Sequence, residues 1–276
     1  MRGWIHSLFC QRKSLQWTRT AQRTILTMLG IIAGISFGAS SAVAFKISPM
    51  IAEMAPAGPR ARLNYLVESD SPVSTAIQIG VVRREQAEDG TEYLPNADDE
   101  FLVFPAQFVL QPNEKQIVQV QWLGQVYPER ELAYRIVAEQ LPVDLNAPAD
   151  GKNNMQLLVR YLTAVYIVPS GIHSNAAADL VVDPAEADSD AHGQRTMDIL
   201  VSNRGPTHIQ LRNVQLTIRS VDGDKTVTLP SRRLPSSMLG ENILAGSIRS
   251  FRIPWPPELS VGPITVSLEV QEAPQE

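Results

Sequence analysis

Cysteine is almost absent from this chain: Cys10 is the only one in 276 residues. That rules out an internal disulfide and a paired-cysteine metal site. Histidine is nearly as scarce. Beyond the first 44 residues only His173, His192 and His208 remain, far apart and without the i,i+4 partners of a zinc motif. No HExxH, glycine-rich phosphate loop or P-loop occurs. The residues offer no constellation of nucleophile, base and oxyanion donors, so the sequence reads as a non-enzyme without a cofactor. Also missing beyond the first 44 residues is any sustained 3.6-residue apolar period, which removes amphipathic helices as building units.

Two apparent motifs dissolve on inspection. Gly34-Ile35-Ser36-Phe37-Gly38 spells a nucleophile elbow, but that motif needs a strand before it and a helix after it in a mature domain. The acidic run Asp183, Glu186, Asp188, Asp190 and His192 lacks the EF-hand spacing and its closing glutamate, and reads as a solvated loop.

The first 44 residues explain where the elbow and the cysteine belong. Arg2, Arg12, Lys13, Arg19 and Arg23 supply positive charge with no acidic residue among them. An apolar run, Ile25 to Phe37, follows, and then Ala42-Val43-Ala44 matches an A-x-A cleavage site. This is the pattern of a cleavable secretory signal peptide over residues 1–44. The competing reading, an uncleaved anchor, needs roughly 20 apolar residues to span a bilayer, and the run is shorter. Without the leader, 19 basic residues face 29 acidic ones, a net charge of about −10 that argues against nucleic acid as a partner.

What the rest of the chain has is strands. Val73, Thr75, Ile77, Ile79 and Val81 alternate with smaller or polar residues, as do Val118, Val120 and Trp122, then Tyr134, Ile136 and Ala138. Glu85 to Asp99, charged and containing Gly90 and Pro95, reads as a loop. Glu131 and Arg135 share strand parity and are expected to form an ion pair at a strand start. A second series opens after Pro169-Ser170-Gly171, with Met197, Ile199 and Val201 alternating and further runs to Val270. About seven short strands followed by about seven more predict two β-sandwiches. The boundary falls at residues 170/171, and the link is too short for free movement between the domains.

The stretch around which this pattern turns is Met155 to Pro169, fifteen residues with one charge, Arg160, and no Gly or Pro before its end. Met155, Leu157, Val159 and Tyr161 recur at period two and share one face. Such length fits either a central strand buried on both sides or an edge that pairs with something outside the chain.

Several segments carry a family resemblance. Phe104-Pro105-Ala106-Gln107-Phe108-Val109-Leu110-Gln111-Pro112-Asn113-Glu114-Lys115-Gln116-Ile117-Val118-Gln119-Val120 resembles the "P-x-x-x-x-L-x-P-G-x-x-Q-x-[VI]-R-V" segment of PapD-like periplasmic pilus chaperones. Glu131 to Pro142 is similar to their "E-x-x-Y-R…L-P" segment, and Ala164 to Pro169 to the end of their last first-domain strand. Asn203 to Ile209 and Ile243 to Gly246 resemble second-domain segments.

The resemblance implies an all-β protein of two immunoglobulin-like sandwich domains in tandem, residues 45–170 and 171–276, in the periplasm. It implies a chaperone that lends an edge strand to a pilus (fimbrial) subunit lacking one, and delivers it to an outer-membrane usher. Neither nucleic acid nor a small-molecule substrate is implied as a partner. Counting back from Pro169, the family's donor residues fall on Met155, Leu157 and Val159. The sequence departs from the family at two positions. Where well-studied members carry an arginine and a lysine that anchor the subunit's terminal carboxylate, this chain has Ile51 and Ala164. Arg160 and Arg62 are the candidate replacements. Asn113 replaces the turn glycine, and asparagine tolerates positive φ. The alternative function is an exported immunoglobulin-like structural or adhesive protein of the cell surface.

Overall fold

The structure is a computed structural model. It describes residues 45–143, 158–175, 179–183, 193–221 and 225–270, and residues 187–189 by their backbone. The leader, Met155 and Leu157 lie outside the described residues.

The first series of strands comprises β1 (Phe45–Ser48), β2 (Ile51–Met54), β3 (Arg62–Ser69), β4 (Thr75–Arg83), β5 (Glu85–Gln86), β6 (Glu92–Tyr93), β7 (Phe101–Phe104), β8 (Gln107–Leu110), β9 (Lys115–Trp122), β10 (Leu132–Gln140) and β11 (Arg160–Ile167). Two sheets result, ordered β1-β3-β9-β7 and β2-β11-β10-β4-β8. The chain passes from one sheet to the other between β1 and β2 and between β7 and β8, and each crossing carries a cis X–Pro bond, Ser48–Pro49 and Phe104–Pro105. Proline at these points is compatible with pairing because it ends one ladder before the next begins. Asn113 adopts φ 60°, the left-handed turn its position requires.

Alternation delivers the core. Ile77, Ile79 and Val81 of β4, Val118 and Val120 of β9, and Tyr134, Ile136 and Ala138 of β10 are all buried between the sheets. Phe101, Trp122 and Tyr134 form a triad of rings with centroids 5.0–5.4 Å apart, an arrangement worth about 0.5–1.5 kcal/mol per pair beyond area burial. The Tyr134 hydroxyl donates to Glu100 Oε2 at 2.8 Å; burial and the adjacent Glu100 carboxylate push its phenol far up.

The second series comprises β12 (Leu180–Asp183), β13 (Ala187–Ser189), β14 (Arg195–Asn203), β15 (Ile209–Gln210), β16 (Val214–Ser220), β17 (Thr226–Pro230), β18 (Asn242–Ile243), β19 (Ile248–Pro254) and β20 (Ile264–Val270). β14 pairs with β12, β13 and β19, and β16 lies between β17 and β20. Met197, Ile199, Val201, Leu216, Ile218 and Ile253 fill the space between these sheets. The acidic segment read as a loop in fact contributes β13, which pairs Ala187 with Met197.

The charged segment 85–99 is likewise not a plain loop. β5 and β6 form a short hairpin, pairing Glu85 with Tyr93 and Gln86 with Glu92. The expected Glu131–Arg135 ion pair does not form: Glu131 meets His208 and Arg135 meets Glu92.

Candidate functional site

β11 lies between two different environments. Its second half is flanked on both sides, by β10 and, through a parallel ladder from Ala164↔Ile51 to Ile167↔Met54, by β2. Its first half, Arg160 to Thr163, pairs with β10 alone; among the described residues no strand covers its other side. The described part of the long stretch is therefore central in its second half and an edge in its first. The described strand is eight residues, Arg160–Ile167, rather than fifteen.

Parity decides where the side chains of this strand go. Thr163, Val165 and Ile167 point into the sandwich and are buried, and the Phe45 ring meets Tyr161 edge-on at 5.1 Å. Val159 is half-buried against the same core, and its carbonyl accepts the Gln140 N–H at 2.9 Å. In sequence, Leu157 and Met155 continue this odd-numbered row. Leu158, of opposite parity, is 45% exposed. The open half of β11 thus presents unpaired backbone groups together with a row of apolar side chains that begins in the protein's own core.

The even-numbered face of β11 looks toward the second domain. Ala164 and Tyr166 pack with Leu244 in a small apolar cluster. The Tyr166 ring stacks on His208 at 4.1 Å, and its hydroxyl accepts from Asn242 Nδ2 at 2.7 Å. The Glu131 carboxylate, nearly inaccessible, lies 2.8 and 2.9 Å from His208 Nδ1, and the Glu131 N–H donates to Pro206 O at 2.8 Å. Asn203 shapes the loop that supplies these partners. Its buried amide donates to Thr207 O and Ile243 O, and its Oδ1 accepts the Gly205 N–H.

The basic groups in this cleft are not those expected. Arg62, in the other sheet, donates to Gln121 Oε1 at 3.0 Å and is exposed. Arg160 is half exposed and 3.9 Å from Glu139. Neither stands beside Ile51 or Ala164. Instead Arg135, directly across the β10–β11 ladder from Ala164, and Arg84 converge on Glu92. Arg135 donates through Nε and Nη2 at 2.9 and 2.7 Å, and Arg84 through Nε at 2.7 Å; Arg84 Nη1 also reaches the Tyr166 hydroxyl at 3.2 Å. The Arg84 side chain is only 9% exposed and that of Arg135 18%. Burial alone would raise the Glu92 carboxyl, but hydrogen bonds and charge from Arg135 and Arg84 hold it below its ordinary value. Two guanidiniums converge here in a mostly desolvated place, and their donor geometry is suited to a carboxylate. Sequence reasoning missed this pair because the arginines lie 51 positions apart and only the ladder brings them together.

Residues 62–173 match the family described as "Pili and flagellar-assembly chaperone, PapD N-terminal domain". Comparison with curated proteins gives no match. Among solved structures, the chain is similar to one of the CsuC–CsuE chaperone–tip adhesion subunit pre-assembly complex from archaic chaperone–usher Csu pili of Acinetobacter baumannii. The likeness has 15% identity, covers 78% of this chain and 90% of that one, and has a TM-score of 0.53. A structure of Salmonella enterica SafA pilin in complex with the SafB chaperone matches at 17% identity, with 78% and 86% covered and a TM-score of 0.51. The class 5 fimbriae chaperone CfaA matches at 14% identity, with 83% and 100% covered and a TM-score of 0.50. These likenesses establish the fold, two immunoglobulin-like sandwiches in tandem.

Proposed function

We propose that the chain is a PapD-like pilus-assembly chaperone and that it binds a pilus subunit by lending that subunit the open half of β11. The single observation that carries this reading is the one-sided pairing of Arg160 to Thr163. A subunit short of one strand has an apolar groove beside an unpaired sheet edge. Backbone groups of β11 complete the edge, and Val159, Leu157 and Met155 fill the groove. Each such side chain, fully buried, contributes about 1.5–3 kcal/mol before ordering costs.

Anchoring follows the same logic. With Ile51 and Ala164 at the family's basic positions, the Arg84–Arg135 pair is the cationic site nearest to them across the ladder, and we assign it the subunit's terminal carboxylate. Delivery to an outer-membrane usher needs a surface that stays free when β11 is occupied. The outer face of the opposite sheet, with Leu102, Phe104 and Ile117 exposed, supplies an apolar one. The leader over residues 1–44 takes the chain to the periplasm, where it works as two units, 45–170 and 171–276.

The test is affinity purification of the tagged chain from periplasm. A one-to-one complex with a fimbrial subunit, identified by mass, is expected. Recovery of the chain alone at the cell surface supports the structural or adhesive alternative.

A further inference from the structure

The hairpin of β5 and β6 is short: two residue pairs, extended by the Ala87 N–H to Thr91 O bond at the tip and by the Arg83 N–H to Pro95 O bond at the base, make a ladder that is marginal by itself. It also rests on what it touches at both ends. At its root, Glu92 is held by Arg84 and Arg135 of the first domain. At its tip, Asp89 accepts from the Thr91 N–H and hydroxyl at 2.8 and 3.0 Å, which braces the turn.

The tip lies on the second domain. The Ser250 N–H of β19 donates to Glu88 O at 2.7 Å. Among the described residues β19 pairs only with β14, so this bond falls on the open edge of its sheet. Gly90, at φ 92°, sits against the Arg249 guanidinium so closely that a Cβ at this position would run into it. Arg249 is itself 5% exposed; it donates to Glu241 through Nη1 at 2.5 Å and lies over the Phe251 ring, and its Nε has no hydrogen-bond partner among the described residues. Gly90 thus combines two demands that only glycine meets, a positive φ and a backbone flush against a buried cation.

We infer that the 85–93 hairpin is a strap that fixes the second domain on the first and closes the open edge of β19. Its two ends use different chemistry, a carboxylate between two arginines at the root and a backbone hydrogen bond with close glycine packing at the tip. Removing the tip takes away this contact without touching either core, and leaves the second domain held on the first through the Glu131–His208 and Tyr166–Asn242 contacts. It also uncovers an edge strand, the kind of surface that pairs with other chains. The inference does not depend on the chaperone reading, because both domains and the strap belong to one chain.

The experiment replaces residues 87–91 by Asn-Gly, a two-residue turn that keeps the β5–β6 register and Glu92. Residual dipolar couplings of the wild-type chain are expected to fit one rigid body. Those of the variant are expected to fit one rigid body measurably worse, because fewer contacts, those of Glu131 and Tyr166 among them, still hold the second domain. The Ser250 amide, slow to exchange in the wild type, is expected to exchange at least about tenfold faster in the variant. Unchanged domain alignment and unchanged Ser250 exchange in the variant would overturn the inference. Should the variant not fold, the wild-type protein still decides: a Ser250 amide that exchanges like a free peptide overturns it.

Discussion

Arg135 stands directly opposite Ala164 in the β10–β11 ladder, on the face that looks toward the second domain. Ala164 in turn pairs with Ile51 across the other side of β11. The two positions where the family that the sequence resembles carries basic residues are therefore neighbours here, both apolar, and Arg135 lies one strand over. If the Arg84–Arg135 pair anchors the subunit, Arg135→Ala will lower subunit recovery at least about tenfold, the scale of one lost charge-assisted bidentate contact. Arg62→Ala and Arg160→Ala will leave recovery unchanged. Pull-downs of the three variants measure this; normal recovery with Arg135→Ala removes the anchor assignment.

The Glu92 site also sets a dependence on acid. Its carboxyl is held below its ordinary value, so its contribution is complete above the unfolded pKa, roughly 4.3, and fades as pH falls through the lower folded value. The melting temperature of Glu92→Gln is expected to lie below that of the wild type at neutral pH, with the gap narrowing below about pH 4. A gap that widens on acidification would reverse the assigned sign.

Much of this arrangement can be read from the residues alone, and the part that cannot has a common cause. Period-two runs such as Met197, Ile199 and Val201 mark strands because one sheet face is buried, and burial is a local property of the sequence. The odd-numbered row through Val159 and Tyr161 follows in the same way. Segment 85–99 reads as a loop because its charge density and Gly90 argue against a strand. Its hairpin exists through Arg135, Ser250 and Arg249, which lie far along the chain. Glu131 and Arg135 do share parity, but Glu131 finds its partner in the second domain and Arg135 in the β5–β6 hairpin, and strand spacing carries no sign of either.

The domain contact through Glu131 is expected to be stabilising. His208→Ala removes the side-chain hydrogen bond of a buried carboxylate, which keeps only the N–H of residue 208 at 3.2 Å, a loss of about 1.5–3 kcal/mol. Calorimetry should show a melting temperature lower by several degrees. An unchanged melting temperature would mean that the pair contributes nothing to holding the domains.

The outer face of β7 and β9 offers a separate test of delivery. Ile117 is 58% exposed and Phe104 72% exposed, so Ile117→Lys and Phe104→Ser should leave the fold and subunit binding intact. Assembly of fibres at the surface is expected to fall. Normal fibre assembly with both changes together would remove this face as the usher-docking surface.

The central claim, that the odd-numbered row entering β11 completes a partner's sandwich, is tested most directly by Leu157→Asp. A carboxylate buried in the subunit's groove without a partner is costly enough to prevent capture. The measurement is the amount of fimbrial subunit co-purified with the variant, alongside its circular dichroism and melting curve. A variant that stays folded and captures no subunit is the predicted result. A folded variant that still captures and stabilises its subunit, or one that unfolds because Leu157 belongs to the protein's own core, would contradict the account.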